Sequence, residues 1–131
     1  MTTSTSLGLQ ALLKTALVRT GMTVPARAVS GLTAPSAALY VASAAVAMPR
    51  GAVLYVVPSD RDLDLAVADS RFFVGALEGL SASGAENAVL PFPSQEIDPY
   101  RGLTPHFGVS SARARALHRS EERRVGKECR L

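Results

Sequence analysis

The chain of 131 residues has few of the side chains that metal and thiol chemistry require. It contains one cysteine, Cys129, and two histidines, His106 and His118. A structural zinc site takes four cysteine or histidine ligands at short, defined spacings. Within residues 1–118, neither histidine has a pair of carboxylates near it at ligand spacing. We therefore expect no metal site, and a single cysteine cannot form an internal disulfide.

Targeting and membrane signals are also missing from the pattern. The first residues are rich in Thr and Ser and lack the basic region and apolar run of a secretory signal. Residues 31–48 are uncharged, but they are alanine-rich and interrupted by Pro35 and Ser43. They are too weakly apolar for a spanning helix of about 20 residues. We expect a soluble, cytoplasmic protein with no membrane partner.

The formal charge of +3 is unevenly distributed along the chain. Residues 119–131 hold five Lys/Arg and three Asp/Glu, which leaves residues 1–118 with nine and eight, a net charge of +1. With a net charge of only +1, residues 1–118 lack the strongly basic character typical of DNA-binding domains.

The segment 119–131 reads RSEERRVGKECRL, and its first eleven residues equal the translation of a common sequencing-library adaptor. We interpret this segment as translated adaptor and exclude it from the fold predictions. The alternative is a basic end of a surface helix, which Glu-Glu-Arg-Arg would suit. Cys129 lies in this segment. On this interpretation the native frame continues past His118, and we expect residues 1–118 to be a fragment.

Hydrophobic periodicity predicts three helices and a fourth near the C-terminal end. They cover 7–20, 36–48, 61–80 and the residues after a cap at Ser110 or Ser111. Ser59 or Asp60 caps the third helix, whose apolar stripe is formed by Leu63, Val67, Phe72 or Phe73, and Leu77. Asp62, Asp64 and Asp69 lie off that stripe, so a solvated acidic face is favoured over a metal cluster.

Three short segments are predicted as strands, at 27–30, 53–57 and 88–90. The second reads VLYVV, a continuous apolar run typical of a parallel strand buried on both faces. Strands that alternate with helices indicate an α/β domain. The predicted fold is a partial parallel sheet flanked by helices, and no internal repeat is visible.

A strand that ends at Gly31 and turns into a helix is the place for a phosphate-binding loop. Such a loop needs glycines for close backbone approach, a lysine for the phosphates and a hydroxyl for magnesium. Gly31 supplies the first glycine. The second glycine would fall on Ser36, the lysine on Ala37 and the hydroxyl on Ala38, so these three requirements are not met. Pro35 also removes an amide from the turn. We predict a degenerate P-loop that binds no nucleotide.

Residues 89–118 combine prolines with aromatic side chains. The prolines are Pro91, Pro93, Pro99 and Pro105, and the aromatic residues are Phe92, Tyr100 and Phe107. Each proline fixes φ and removes an amide donor, so neither a regular helix nor a central strand fits the proline-containing part. Tyr100 could stack on a base, but pinning the loop to the sheet is favoured. Arg113 and Arg115 could contact phosphate or an acidic partner, although a solvated face is favoured for them.

This segment resembles the first subdomain of the bacterial transcription-repair coupling factors. The family pattern falls on the pairs Leu90/Pro91, Gln95/Glu96, Pro99/Tyr100 and Pro105/His106, followed by a serine-arginine helix at 110–117. That subdomain is similar to the nucleotide-binding half of the excinuclease-B protein, with a decayed glycine-leucine-threonine phosphate loop that Gly31, Leu32 and Thr33 match. Ala37 departs from the lysine that relatives often keep there.

The resemblance implies a parent protein that is an ATP-driven DNA translocase, which displaces stalled RNA polymerase and recruits nucleotide excision repair. Its partners would be RNA polymerase, DNA and the damage-recognition component of the excinuclease, and its ATP and Mg²⁺ would bind in motor domains outside this chain. The expected division is an N-terminal helix and linker (1–25), an incomplete excinuclease-B-like subdomain (26–118) and the adaptor segment (119–131). This piece would be a non-catalytic scaffold without a cofactor. A fragment of an excinuclease-B-type or other P-loop NTPase, and an unrelated α/β interaction module, remain as alternatives.

Overall fold

A computed structural model describes residues 3–22, 28–48, 51–95, 100, 102 and 104–125. These ranges contain five α-helices and no β-strand. The helices are α1 (Thr3–Thr20), α2 (Ala34–Ala47), α3 (Asp60–Glu78), α4 (Ala82–Ala88) and α5 (Phe107–Val125). The predicted α/β fold, with a partial parallel sheet, is therefore wrong.

The three helices predicted from periodicity are confirmed as α1, α2 and α3, each beginning slightly earlier than predicted. Of the two predicted caps of α3, Ser59 is the one used, because its hydroxyl accepts a hydrogen bond from the Asp62 amide at 3.2 Å, and Asp60 is the first residue of the helix. The helix ends where Gly79 adopts a φ of 69° and the Leu80 amide donates to the Gly75 carbonyl at 2.9 Å. This left-handed turn satisfies a carbonyl that the helix itself leaves open.

All three strand predictions fail in the part of the chain that the structure describes. Residues 28–30 are irregular, and Arg27 lies outside the described residues. Residues 53–57 are irregular as well, while Ala88 ends α4 and residues 89–90 follow it without pairing. An apolar run signals burial, but a strand also needs a neighbour to pair its backbone groups. The sequence pattern indicated burial, but it did not identify a neighbouring strand.

Helix α4 is an element that the sequence interpretation missed. Ser81 caps it by accepting a hydrogen bond from the Gly84 amide at 3.2 Å. Ala85, its one buried residue, faces Gly75 on α3. Two small residues in contact let the short helix lie close to α3. Helix α4 overlaps the predicted third strand only at Ala88.

Helix α3 is the centre of the packing, because α1, α2 and α4 all contact it. The core consists of Leu17 from α1, Ala42 from α2, and Val74 and Leu77 from α3. Gln10 adds a polar link, since its Nε2 donates to the Leu77 carbonyl at 2.6 Å. The predicted apolar stripe of α3 is confirmed: Leu63, Val67 and Phe73 are half-buried and Leu77 is buried, whereas Phe72 is exposed.

Helix α5 continues from His118 into the segment interpreted as adaptor and ends at Val125. Residues 120–124 read SEERR, and glutamate and arginine are good helix formers. A continuous helix is therefore expected whatever the origin of these residues, and the adaptor interpretation stays a prediction.

Among the described residues, no helix combines the length and the apolar character that a membrane crossing would need.

Candidate functional site

The degenerate P-loop positions lie at the start of α2, after a turn at Gly31 with a φ of 77°. Thr33 is the N-cap, but its hydroxyl makes no capping bond and instead hydrogen-bonds the Ser36 hydroxyl at 2.9 Å. Ala37 donates its amide to the Thr33 carbonyl at 2.9 Å, and Ala38 is completely buried. No residue from 31 to 38 carries a charge. These positions serve helix initiation and packing, and the absence of nucleotide binding stays a prediction.

The family-motif positions of the proline-aromatic segment have different environments. Pro91 and Pro105 are half-buried, whereas His106 is exposed. Tyr100 is 95 % exposed, so the prediction that its ring pins the loop to a sheet is wrong. Glu96 and Pro99 lie outside the described residues. The motif therefore forms no single pocket among its described members.

Residues 92 and 93 of this segment are held by Arg113 of α5. The Arg113 guanidinium carbon lies 3.8 Å from the centre of the Phe92 ring. Its Nη1 donates to the Pro93 carbonyl at 2.7 Å. A planar guanidinium can stack on a ring and donate in its own plane at the same time, which an ammonium group cannot do.

The expectation that Arg113 lies on a solvated face is wrong. Arg113 shares a half-buried face of α5 with Val109, Ala112 and Ala116. Their spacing of i, i+3, i+4 and i+7 is the pattern of a packed helix face. This spacing is visible in the sequence and could have predicted the packed face. No sequence pattern marks Phe92, twenty-one residues before Arg113, as the partner of that arginine. Arg115 is exposed and donates from Nη2 to Asn87 Oδ1 at 2.6 Å.

Two residues of α3, Arg71 and Asp60, hold the same segment through three hydrogen bonds. Nε and Nη2 of Arg71 both donate to the Val89 carbonyl, at 3.3 and 3.2 Å. The Asp60 carboxylate accepts a hydrogen bond from the Ser94 amide at 2.9 Å. We name Asp60, Arg71, Phe92 and Arg113 the anchor cluster. Its charged side chains pair with backbone groups that an irregular segment would otherwise leave to water.

His106 is used to start α5. Its carbonyl accepts hydrogen bonds from the amides of Val109 and Ser110, at 3.0 and 3.1 Å. Its Nδ1 accepts from the Gly108 amide at 3.2 Å. The helix thus begins at Phe107, earlier than the predicted cap at Ser110 or Ser111, and the His106 side chain takes the capping role.

A cleft of about 930 Å³ opens between α2, α3, residues 51–59 and residues 88–94. Its lining is mostly apolar, and its charged members are Asp60, Glu78 and Arg113. Asp60 and Arg113 are engaged in the anchor cluster. The Asp62 carboxylate also has a hydrogen-bond partner, since Ser59 Oγ donates to its Oδ2 at 2.6 Å. Within the described ranges, no three His, Cys, Asp or Glu side chains gather as metal ligands would.

The chain matches no protein-family model, no curated protein and no solved structure.

Proposed function

We propose that this chain is a non-catalytic scaffold piece of a bacterial transcription-repair coupling factor. The observation that carries the proposal is the residue pattern of the segment from Leu90 to Leu117. The sheet of that family's subdomain is absent from the described residues, so the fold lends the proposal no support. In the whole parent, the partners would be RNA polymerase, DNA and the damage-recognition component of the excinuclease, with ATP and Mg²⁺ in the motor domains.

A scaffold role is favoured over catalysis by how the charged side chains are used. Asp60 and Arg113 bind backbone groups of the proline-aromatic segment, and Asp62 is bonded within the cap of α3. General acid-base chemistry needs titratable groups that face a cavity and are open to a substrate. These groups are committed to fixing the segment in place, which supports a surface that presents the motif to another protein or domain.

The native gene gives the direct test of the family assignment. A sequencing read from intact genomic DNA, made without ligated adaptors, would extend past codon 118. We expect the adaptor-like codons to be absent and helicase motifs to follow in the same frame. A stop codon shortly after codon 118 would refute the assignment and favour an unrelated interaction module.

Calorimetric titration with ATP and Mg²⁺ separates the scaffold from the rival P-loop NTPase. We expect no heat of binding from the purified chain at millimolar nucleotide, because Ala37 stands where a phosphate-binding lysine is needed. An authentic P-loop NTPase in the same buffer is the positive control. Saturable binding in the micromolar range would support the NTPase alternative.

A further inference from the structure

The start of α5 is held by a side chain that can change its charge near neutral pH. The Gly108 amide donates to Nδ1 of His106 at 3.2 Å. The ring lies against the first turn, since a methyl group built on Gly108 would be 3.2 Å from Nδ1 and 3.6 Å from Cε1. The usual cap residues are serine, threonine, aspartate and asparagine, which keep their charge state between about pH 5 and pH 8. Histidine titrates within that range.

The bond between Gly108 and His106 requires a neutral imidazole ring. A ring nitrogen accepts a hydrogen bond only when it carries no hydrogen, so the ring must hold its hydrogen on Nε2. When the ring takes up a proton at Nδ1, both nitrogens become donors, and the Gly108 amide loses its acceptor. The positive charge then lies at a helix N-terminus, where the macrodipole disfavours cations. Both effects weaken the first turn of α5 as the pH falls.

The surroundings of the ring offer no compensation within the part of the chain that the structure describes. His106 is exposed, and its ring has no further hydrogen bond, ion pair or ring contact with a described residue. Arg113, the first charged residue of α5, lies two turns further along and belongs to the anchor cluster. The charged residues of the preceding segment lie outside the described residues; they are Glu96, Asp98 and Arg101.

We propose that His106 is a pH-sensitive cap, which holds the first turn of α5 at neutral pH and releases it in mildly acidic solution. The release is limited to the start of the helix. Arg113 lies beyond the first turn and is held by its own bond to the Pro93 carbonyl. The pH therefore sets where α5 begins, while the contact of the helix with the proline-aromatic segment persists.

Nuclear magnetic resonance of the full chain between about pH 7.5 and pH 5.5 tests this proposal. We expect the helical Cα chemical shifts of residues 107–110 to fall by at least about a third, with the midpoint of the His106 ring titration in the same samples. Carboxylates ordinarily titrate near pH 4 and stay charged over this range. The first turn of α3, capped by the Ser59 hydroxyl, is the internal control and should not change. Shifts of residues 107–110 that stay constant would overturn the proposal.

Two substitutions assign the response to one histidine. His106→Asn keeps a side-chain acceptor at the cap and removes the titration, so the first turn should stay formed at both ends of the pH range. His118→Gln removes the other histidine, which lies further along α5, and should leave the response unchanged. A response that persists in His106→Asn, or that disappears in His118→Gln, would show that another group controls the start of α5 and would contradict the proposal.

Discussion

Gly75 lies in the last turn of α3 and Gly79 directly follows the helix, and the backbone constrains these two glycines differently. Gly75 is inside the helix, and a methyl group built on it would lie 3.5 Å from the Ala85 Cβ, an ordinary contact. Gly79 ends the helix with a φ of 69°, a conformation that L side chains adopt only at a cost. The same substitution is therefore expected to act in opposite directions at the two positions.

Gly75→Ala should raise the free energy of unfolding by about 0.5–1 kcal/mol, because alanine has the higher helix propensity and the added methyl group makes only ordinary contacts. Gly79→Ala should lower it by about 1 kcal/mol, because alanine is strained in the left-handed region. Urea unfolding followed by circular dichroism measures both. Destabilisation by both variants would show that α4 packs more tightly on Gly75 than described.

At the residue scale, local contacts could be predicted from the sequence and long-range contacts could not. The cap of α3 was narrowed to Ser59 or Asp60, of which Ser59 is the cap, because capping depends on residues only three positions apart. The contact of Arg113 with Phe92 joins residues far apart in the chain, and no local pattern encodes that distance. The capping role of His106 was missed because serine and threonine dominate helix starts, and Ser110 and Ser111 were nearby.

At the scale of elements, helices were predictable and strands were not. The helices α1, α2 and α3 each carry their own hydrogen bonds and an apolar periodicity, so local sequence suffices to find them. A strand depends on a partner elsewhere, and the apolar run at 53–57 has none among the described residues. The assumption that VLYVV must be paired within the chain led to the wrong fold class.

The attachment of α1 gives a prediction at this scale. Leu17 is 4 % exposed in the core, whereas Leu12 on the same helix is 66 % exposed. Leu17→Ala should cost about 2–4 kcal/mol, because it removes buried methyl groups and leaves a cavity against α3. Leu12→Ala should change stability by less than about 0.5 kcal/mol. Urea titration of the two variants gives both values, and equal losses would mean that α1 does not pack through Leu17.

At the scale of the whole molecule, the core of the described part is small. Six apolar residues are buried, Leu17, Ala38, Ala42, Val74, Leu77 and Ala85, and three of them are alanines. Large apolar side chains such as Leu54, Val56 and Phe107 remain exposed. Since stability rests on apolar burial, so small a core supports little of it.

We therefore expect a free energy of unfolding of about 5 kcal/mol or less for the full chain, at the low end for folded domains. Equilibrium unfolding in urea, followed by circular dichroism, measures this quantity. A value near 10 kcal/mol would show that packing outside the described residues contributes a second core.

The proline-aromatic segment links two helices, because Arg113 joins it to α5 and Arg71 and Asp60 join it to α3. Hydrogen exchange at the Ser94 amide, which donates to Asp60, reports on this attachment directly. Arg113→Ala removes a stacking contact and a hydrogen bond, together worth about 1.5–2 kcal/mol. Ser94 exchange should become at least about tenfold faster in Arg113→Ala and change little in Arg115→Ala. Equal exchange rates in the wild type and both variants would contradict the anchored segment.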